Sequence, residues 1–253
     1  MKVFLSFLSY IALINGFHVS FIKTSCAMKA IIVETEGISA HRGNRGTVRM
    51  SDATRLSFCG VKFDPPLSTA MEEMGFETPT LIQEASVGPL TLGLSAILHA
   101  ETGSGKTLCY LLPLLKRLYG SDLKINRSPL QALIVVPTKE LAVQIAADIV
   151  ALTSPPGEEL DTSVVDLCVT TRRGGFQSLQ APIVVGTPFK ILDTIDASEG
   201  SLSELANVRY LVLDEVDRLL SVAGKYATTA EIRGQKRTQN PCALLLDKMT
   251  EGR

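Results

Sequence analysis

The chain has 253 residues, 45% of them apolar, enough for one α/β core with added segments but too few for two full α/β domains behind a leader. Its net charge of −1 conceals a division: residues 56–222 carry 12 Lys and Arg against 20 Asp and Glu, whereas the first 55 carry 7 against 3 and the last 31 carry 6 against 3. The centre is therefore no basic stripe that would hold nucleic acid by bulk charge, and its five scattered cysteines, with no C-x-x-C pair, argue against a disulfide-stapled domain or a zinc site.

At the N-terminus, Lys2 precedes an apolar run from Val3 to Ile14. The run is too short for a membrane span and has the length of a signal-peptide core. Cleavage after Gly16 or after Ala27 would remove it, so residues 1–27 read as a signal-peptide-like leader, the alternative being a helix packed on the domain. Residues 28–57 read as transit-peptide-like or disordered, because 37–57 are rich in Arg, Ser, Thr and Gly with Asp52 as the one acid. Together they resemble the two-part leader that sends proteins into plastids bounded by extra membranes, with Phe17 following the first candidate cleavage site. A secretory or other organellar destination is the alternative, and no stable membrane insertion is expected once the leader is removed.

From Phe58 onward, short apolar runs alternate with amphipathic stretches. Strands are expected at 95–100, 131–136, 164–169, 182–186 and 209–214, and helices at 67–74, 80–92, 106–119, 138–151, 188–196 and 215–221. Nearly all-apolar strands separated by helices predict a parallel sheet covered on both faces, with its ligand loops at the carboxyl ends of the strands. A domain at 58–222 and a divergent or disordered tail at 223–253 complete the organisation.

The loop ending the strand "SAILHA" reads "AETGSGKT", residues 100–107. Gly103 and Gly105 let backbone N–H groups turn around an anion at the start of the next helix. Lys106 adds a charge for the β- and γ-phosphates, and the Thr107 hydroxyl is placed to ligate Mg²⁺. This is a P-loop with Ala100 in the position of its first glycine. After the last strand comes "DEVD", Asp214 to Asp217. In a P-loop enzyme an acid there holds Mg²⁺, a role that suits Asp214, and the next acid takes a proton from water, a role that suits Glu215. An ordinary acidic first turn of a helix is the alternative.

"AETGSGKT" and "DEVD", with "GFETPTLIQ" at Gly75–Gln83 and Phe58 upstream of it, resemble the first RecA-like domain of the DEAD-box RNA helicases. The upstream pair looks like that family's Q motif and its isolated aromatic. The chemistry agrees: a Gln amide pairs with adenine N6 and N7 and an aromatic ring stacks on a base, so Gln83 and Phe58 argue for ATP over GTP. The resemblance assigns nucleotide binding to Phe58, Thr80, Gln83, Glu101, Thr102, Gly103, Ser104, Gly105, Lys106 and Thr107. It assigns catalysis to Lys106, Asp214 and Glu215, and the metal to Thr107 and Asp214. "PTKELAVQI", the doublet Gly174–Gly175 and "TPFK" resemble the family's RNA-contact loops, which marks Pro137, Thr138, Lys139, Gly174, Gly175, Thr187, Pro188 and Lys190. Phe189 departs from the family's glycine and Lys190 from its arginine.

The resemblance implies an ATP- and Mg²⁺-dependent hydrolase acting on RNA. It runs from Phe58 to about Leu220, without the family's Ser-Ala-Thr motif or its second RecA-like domain with the arginine finger. Weak or no turnover and weak RNA binding are therefore expected of the isolated chain. A non-catalytic ATP- and RNA-binding module is the alternative; "GFETPTLIQ" argues against a small kinase. Oligomeric state is not legible.

Overall fold

The computed structural model describes residues 57–119, 130–154, 157, 159–169, 181–197, 205–220 and 240–251, together with the backbone of strands at 11–14, 17–22 and 29–34. Those strands are β1 (Ile11–Ile14), β2 (Phe17–Ile22) and β3 (Lys29–Glu34). A small hairpin follows, β4 (Ser57–Phe58) and β5 (Val61–Lys62). Its corner residues Cys59 and Gly60 have φ of 54° and 71°, the positive values a two-residue hairpin loop demands.

Next come α1 (Leu67–Glu73), α2 (Leu81–Thr91), β6 (Ser95–His99), α3 (Lys106–Leu118), β7 (Ala132–Val135), α4 (Lys139–Thr153), β8 (Val165–Cys168), β9 (Ile183–Gly186), α5 (Pro188–Ala197), β10 (Tyr210–Leu213), α6 (Val216–Leu220) and α7 (Pro241–Glu251). Every strand and helix expected between 67 and 221 is present.

The sheet order is β1-β2-β6-β3-β10-β7-β9-β8. From β6 to β8 all pairings are parallel, and β2 and β1 add antiparallel strands beyond β6. Alternation along each strand splits the core in two. Ala132, Ile134 and Val136 join one cluster with Leu67 of α1, Ile82 of α2, Leu111 of α3 and Ile145 of α4. Leu133 and Val135 join the other with Ile191 of α5, Leu219 of α6 and Leu245 of α7. Both faces are thus covered, and apolar residues at every position of β7 are what this burial requires. Among the described residues no helix is long and apolar enough to cross a membrane.

The structure departs from the sequence reading in two places. Strands β1 and β2 lie within the signal-peptide-like leader 1–27, and β3 lies within the segment 28–57 read as transit-peptide-like or disordered. β3 runs parallel between β6 and β10, with Ile32 opposite both Ile97 and Leu213. Its sequence KAIIVE is apolar in the middle and charged at the ends, the pattern of a short central strand.

The second departure is α7, inside the tail read as divergent or disordered. Cys242, Leu245 and Met249 fall on one helical face and are buried. Asn240 caps the helix, its Oδ1 accepting from Cys242 N at 2.8 Å and Ala243 N at 3.2 Å, while its Nδ2 donates to Leu219 O at 3.0 Å. Asn at the cap followed by Pro241 at the first turn is a helix-start signal carried by the sequence itself.

Candidate nucleotide-binding site

The carboxyl edge of the sheet carries, in spatial order, the P-loop after β6, the end of β3, Asp214 after β10, Pro137 and Thr138 after β7, and Thr187 and Pro188 after β9. Parallel topology alone makes these loops neighbours.

Gly105 caps α3 with φ of 87°. A Cβ there would lie 2.4 Å from Gln83 Nε2, so the close approach of α2 to the loop, as well as the dihedral, requires glycine. Lys106 is buried, and its Nζ folds back onto the loop, donating to Ala100 O and, at 2.6 Å, to Glu101 O. Burial pulls its ammonium below the usual lysine range, while Asp214 acts in the opposite direction. Glu101, Thr102 and Gly103 are exposed, with Gly103 at φ of 80°. Ser104 Oγ is the one buried side-chain oxygen without a hydrogen-bond partner among the described residues. An orphaned hydroxyl inside a glycine-rich loop at a helix N-terminus fits a phosphate group.

Asp214 is buried, and burial pushes its carboxyl above the usual range. Its Oδ2 accepts from Tyr110 Oη at 2.9 Å and its Oδ1 from Glu215 N at 2.9 Å. Glu215 adopts φ of 50°, an uncommon conformation for a non-glycine residue that tends to mark functional turns. Its Oε2 accepts from Arg218 Nη1 at 2.8 Å. Oxygen donors from Thr107 and Asp214 suit Mg²⁺, a hard cation.

The Q-motif residues are engaged within the protein in this structure. Gln83 is buried, with its Oε1 accepting from Thr80 N at 2.9 Å and its Nε2 donating to Gly105 O at 3.1 Å. Thr80 Oγ1 in turn donates to Ser104 O at 2.8 Å. Both ends of the Gln83 amide thus bond to the protein in this structure. Phe58 is buried in the core cluster that contains Ile82 and Val87. In this structure Thr80 and Gln83 tie α2 to the P-loop.

Among the expected RNA contacts, Thr138 caps α4 by accepting from Leu141 N at 3.3 Å, and Lys139 is exposed beside Glu140. Thr187 and Pro188 open α5. Phe189 is 62% exposed, its ring 5.3 Å from the Lys190 ammonium, which also pairs with Asp193. Gly174 and Gly175 lie outside the described residues. The four described cysteines are free, and burial holds their thiols protonated, Cys59 up at about 12.

These features define a RecA-like P-loop nucleotide-binding domain. The family model of the DEAD/DEAH box helicases matches residues 80–246, more than half of the sequence and beyond the Leu220 limit of the motif resemblance, and the chain belongs to that family. It is similar to the ATP-dependent RNA helicase MAK5 of Phaeosphaeria nodorum, 37% identical over 64% of this chain and 20% of that protein. It also resembles the pre-mRNA-processing ATP-dependent RNA helicase PRP5 of Chaetomium globosum, 32% identical over 66% of this chain and 16% of that protein. Among solved structures, the DEAD-box helicase Mss116 bound to ssRNA and UDP-BeF aligns with a TM-score of 0.50 and 26% identity, covering 76% of this chain and 36% of that one. The chain thus spans about a fifth of the length of the curated relatives it matches.

Proposed function

We propose that this chain is the ATP-binding first domain of an ATP-dependent RNA helicase. The observation that carries the reading is the placement of the glycine-rich loop after β6, with buried Lys106 and the unpartnered Ser104 hydroxyl, on the same carboxyl edge of the sheet as the buried Asp214 after β10. P-loop hydrolases use a cation from the loop and an acid from another strand end of the same sheet edge.

The reaction is attack of water on the γ-phosphorus of ATP, with cleavage of its bond to the bridging oxygen and departure of ADP. Lys106 neutralises charge on the transferring group, and Glu215 orients the water and accepts its proton. Thr107 and Asp214 are the residues that would hold Mg²⁺, which when bound supplies further charge neutralisation at the phosphates. RNA lies along the loops at Pro137–Lys139 and Thr187–Lys190 with Gly174 and Gly175. Its phosphates meet helix N-termini and backbone N–H groups.

The purified chain is expected to bind Mg-ATP while hydrolysing it slowly. Supplying a second RecA-like domain with an arginine finger should raise the rate, by about 10³–10⁵-fold on the precedent of such fingers. Glu215→Gln should abolish that gain and leave affinity nearly intact. Absence of nucleotide binding, or brisk RNA-stimulated turnover by the chain alone, would sink the reading. One contact favours a non-catalytic ATP- and RNA-binding module instead: Arg218 holds the Glu215 carboxylate at 2.8 Å. On that reading no added domain restores turnover.

A further inference from the structure

Tyr110 is fully buried in α3, one helical turn beyond Thr107, in a stretch otherwise apolar from Leu108 to Leu115. A phenol placed among leucines needs a partner for its hydroxyl. Its Oη donates to Asp214 Oδ2 at 2.9 Å across a separation of 104 residues. The other Asp214 oxygen accepts from Glu215 N. The carboxylate is therefore held at both oxygens, one of them by the helix that the P-loop begins.

We propose that the Tyr110 hydroxyl is a positioning group for the metal site, fixing the Asp214 carboxylate against the helix that carries Thr107 so that the two metal-holding residues keep a fixed relation. The proposal rests on the reading of Thr107 and Asp214 given above. A carboxylate rotates about its terminal torsion with little resistance, and Tyr110 removes that freedom where β10 and α3 meet. The ring is rigid and packed, so the constraint comes with little additional loss of side-chain entropy.

The test is Y110F in the full chain. Phenylalanine fills the same ring volume and removes only the oxygen. Affinity for a fluorescent ADP analogue is measured across a Mg²⁺ titration and again in EDTA, alongside thermal unfolding without nucleotide. The Mg²⁺ concentration giving half-maximal enhancement should rise by roughly tenfold, what the loss of one charge-assisted hydrogen bond amounts to, while affinity in EDTA stays within about twofold of wild type. In a D214A background, Y110F should add nothing to the Mg²⁺ defect, because coupled residues are not additive.

An unchanged Mg²⁺ midpoint would overturn the proposal. So would equal losses with Mg²⁺ and in EDTA, or a Y110F chain that no longer melts cooperatively, since either assigns the hydroxyl to core packing. A wild-type chain whose nucleotide affinity ignores Mg²⁺ would instead remove the underlying reading of the site.

Discussion

At the scale of single residues, Gln83 shows how one side chain chooses between two chemistries. Its amide could face a base, but here it spans the α2 cap and the P-loop, from Thr80 N to Gly105 O. Removing it takes one hydrogen bond each from the partly exposed Thr80 N and Gly105 O, at a cost of about 0.5–1.5 kcal/mol for each. Gln83→Ala should therefore weaken adenine and guanine nucleotides by similar factors and lower the melting temperature, as checked by titration with fluorescent analogues of both. A selective loss of adenine affinity with unchanged melting would show that the amide turns toward the base when nucleotide binds.

Among the elements, β3 carries the largest consequence. It fills the position between the P-loop strand and the strand ending at Asp214, so without it β6 and β10 have no common neighbour. Each net backbone hydrogen bond is worth about 0.5–1.5 kcal/mol, and a whole domain is stable by only about 5–15 kcal/mol. Loss of both ladders consumes most of that margin. A chain lacking residues 1–27 should keep cooperative unfolding and nucleotide binding, whereas one lacking residues 1–40 should lose both. Equal melting curves for the two truncations would show that β3 contributes nothing to the fold.

For the whole molecule, the N-terminal segment has two demands to satisfy. We propose that the leader is cut away, and the sheet needs β3. Cleavage after Ala27 meets both, because it removes β1 and β2 and spares Lys29–Glu34. Residues 1–57 fused to a fluorescent protein should direct it to the plastid in cells with complex plastids, and the mature N-terminus of the full chain, read by mass spectrometry, should fall at or before Met28. A cytosolic signal would reject the targeting proposal; a mature end beyond Glu34 would be incompatible with the central strand.

Local chemistry was legible without coordinates wherever one stretch of chain carried its own signal. The P-loop glycines, the acids after β10 and the period of each element between 67 and 221 depend on neighbours a few residues away, and the sequence determined them. The placement of β3 between β6 and β10 was not legible, because KAIIVE suits a signal-adjacent apolar segment as well as a central strand, and only the unpaired edges on either side decide. The same holds for Tyr110, whose partner Asp214 lies 104 residues away, and for Gln83, whose amide is claimed by a loop brought close through α2 packing. Long-range pairing of buried polar groups is what the tertiary structure alone decided, since a buried donor must find an acceptor in space and the chain order does not say where that acceptor will be.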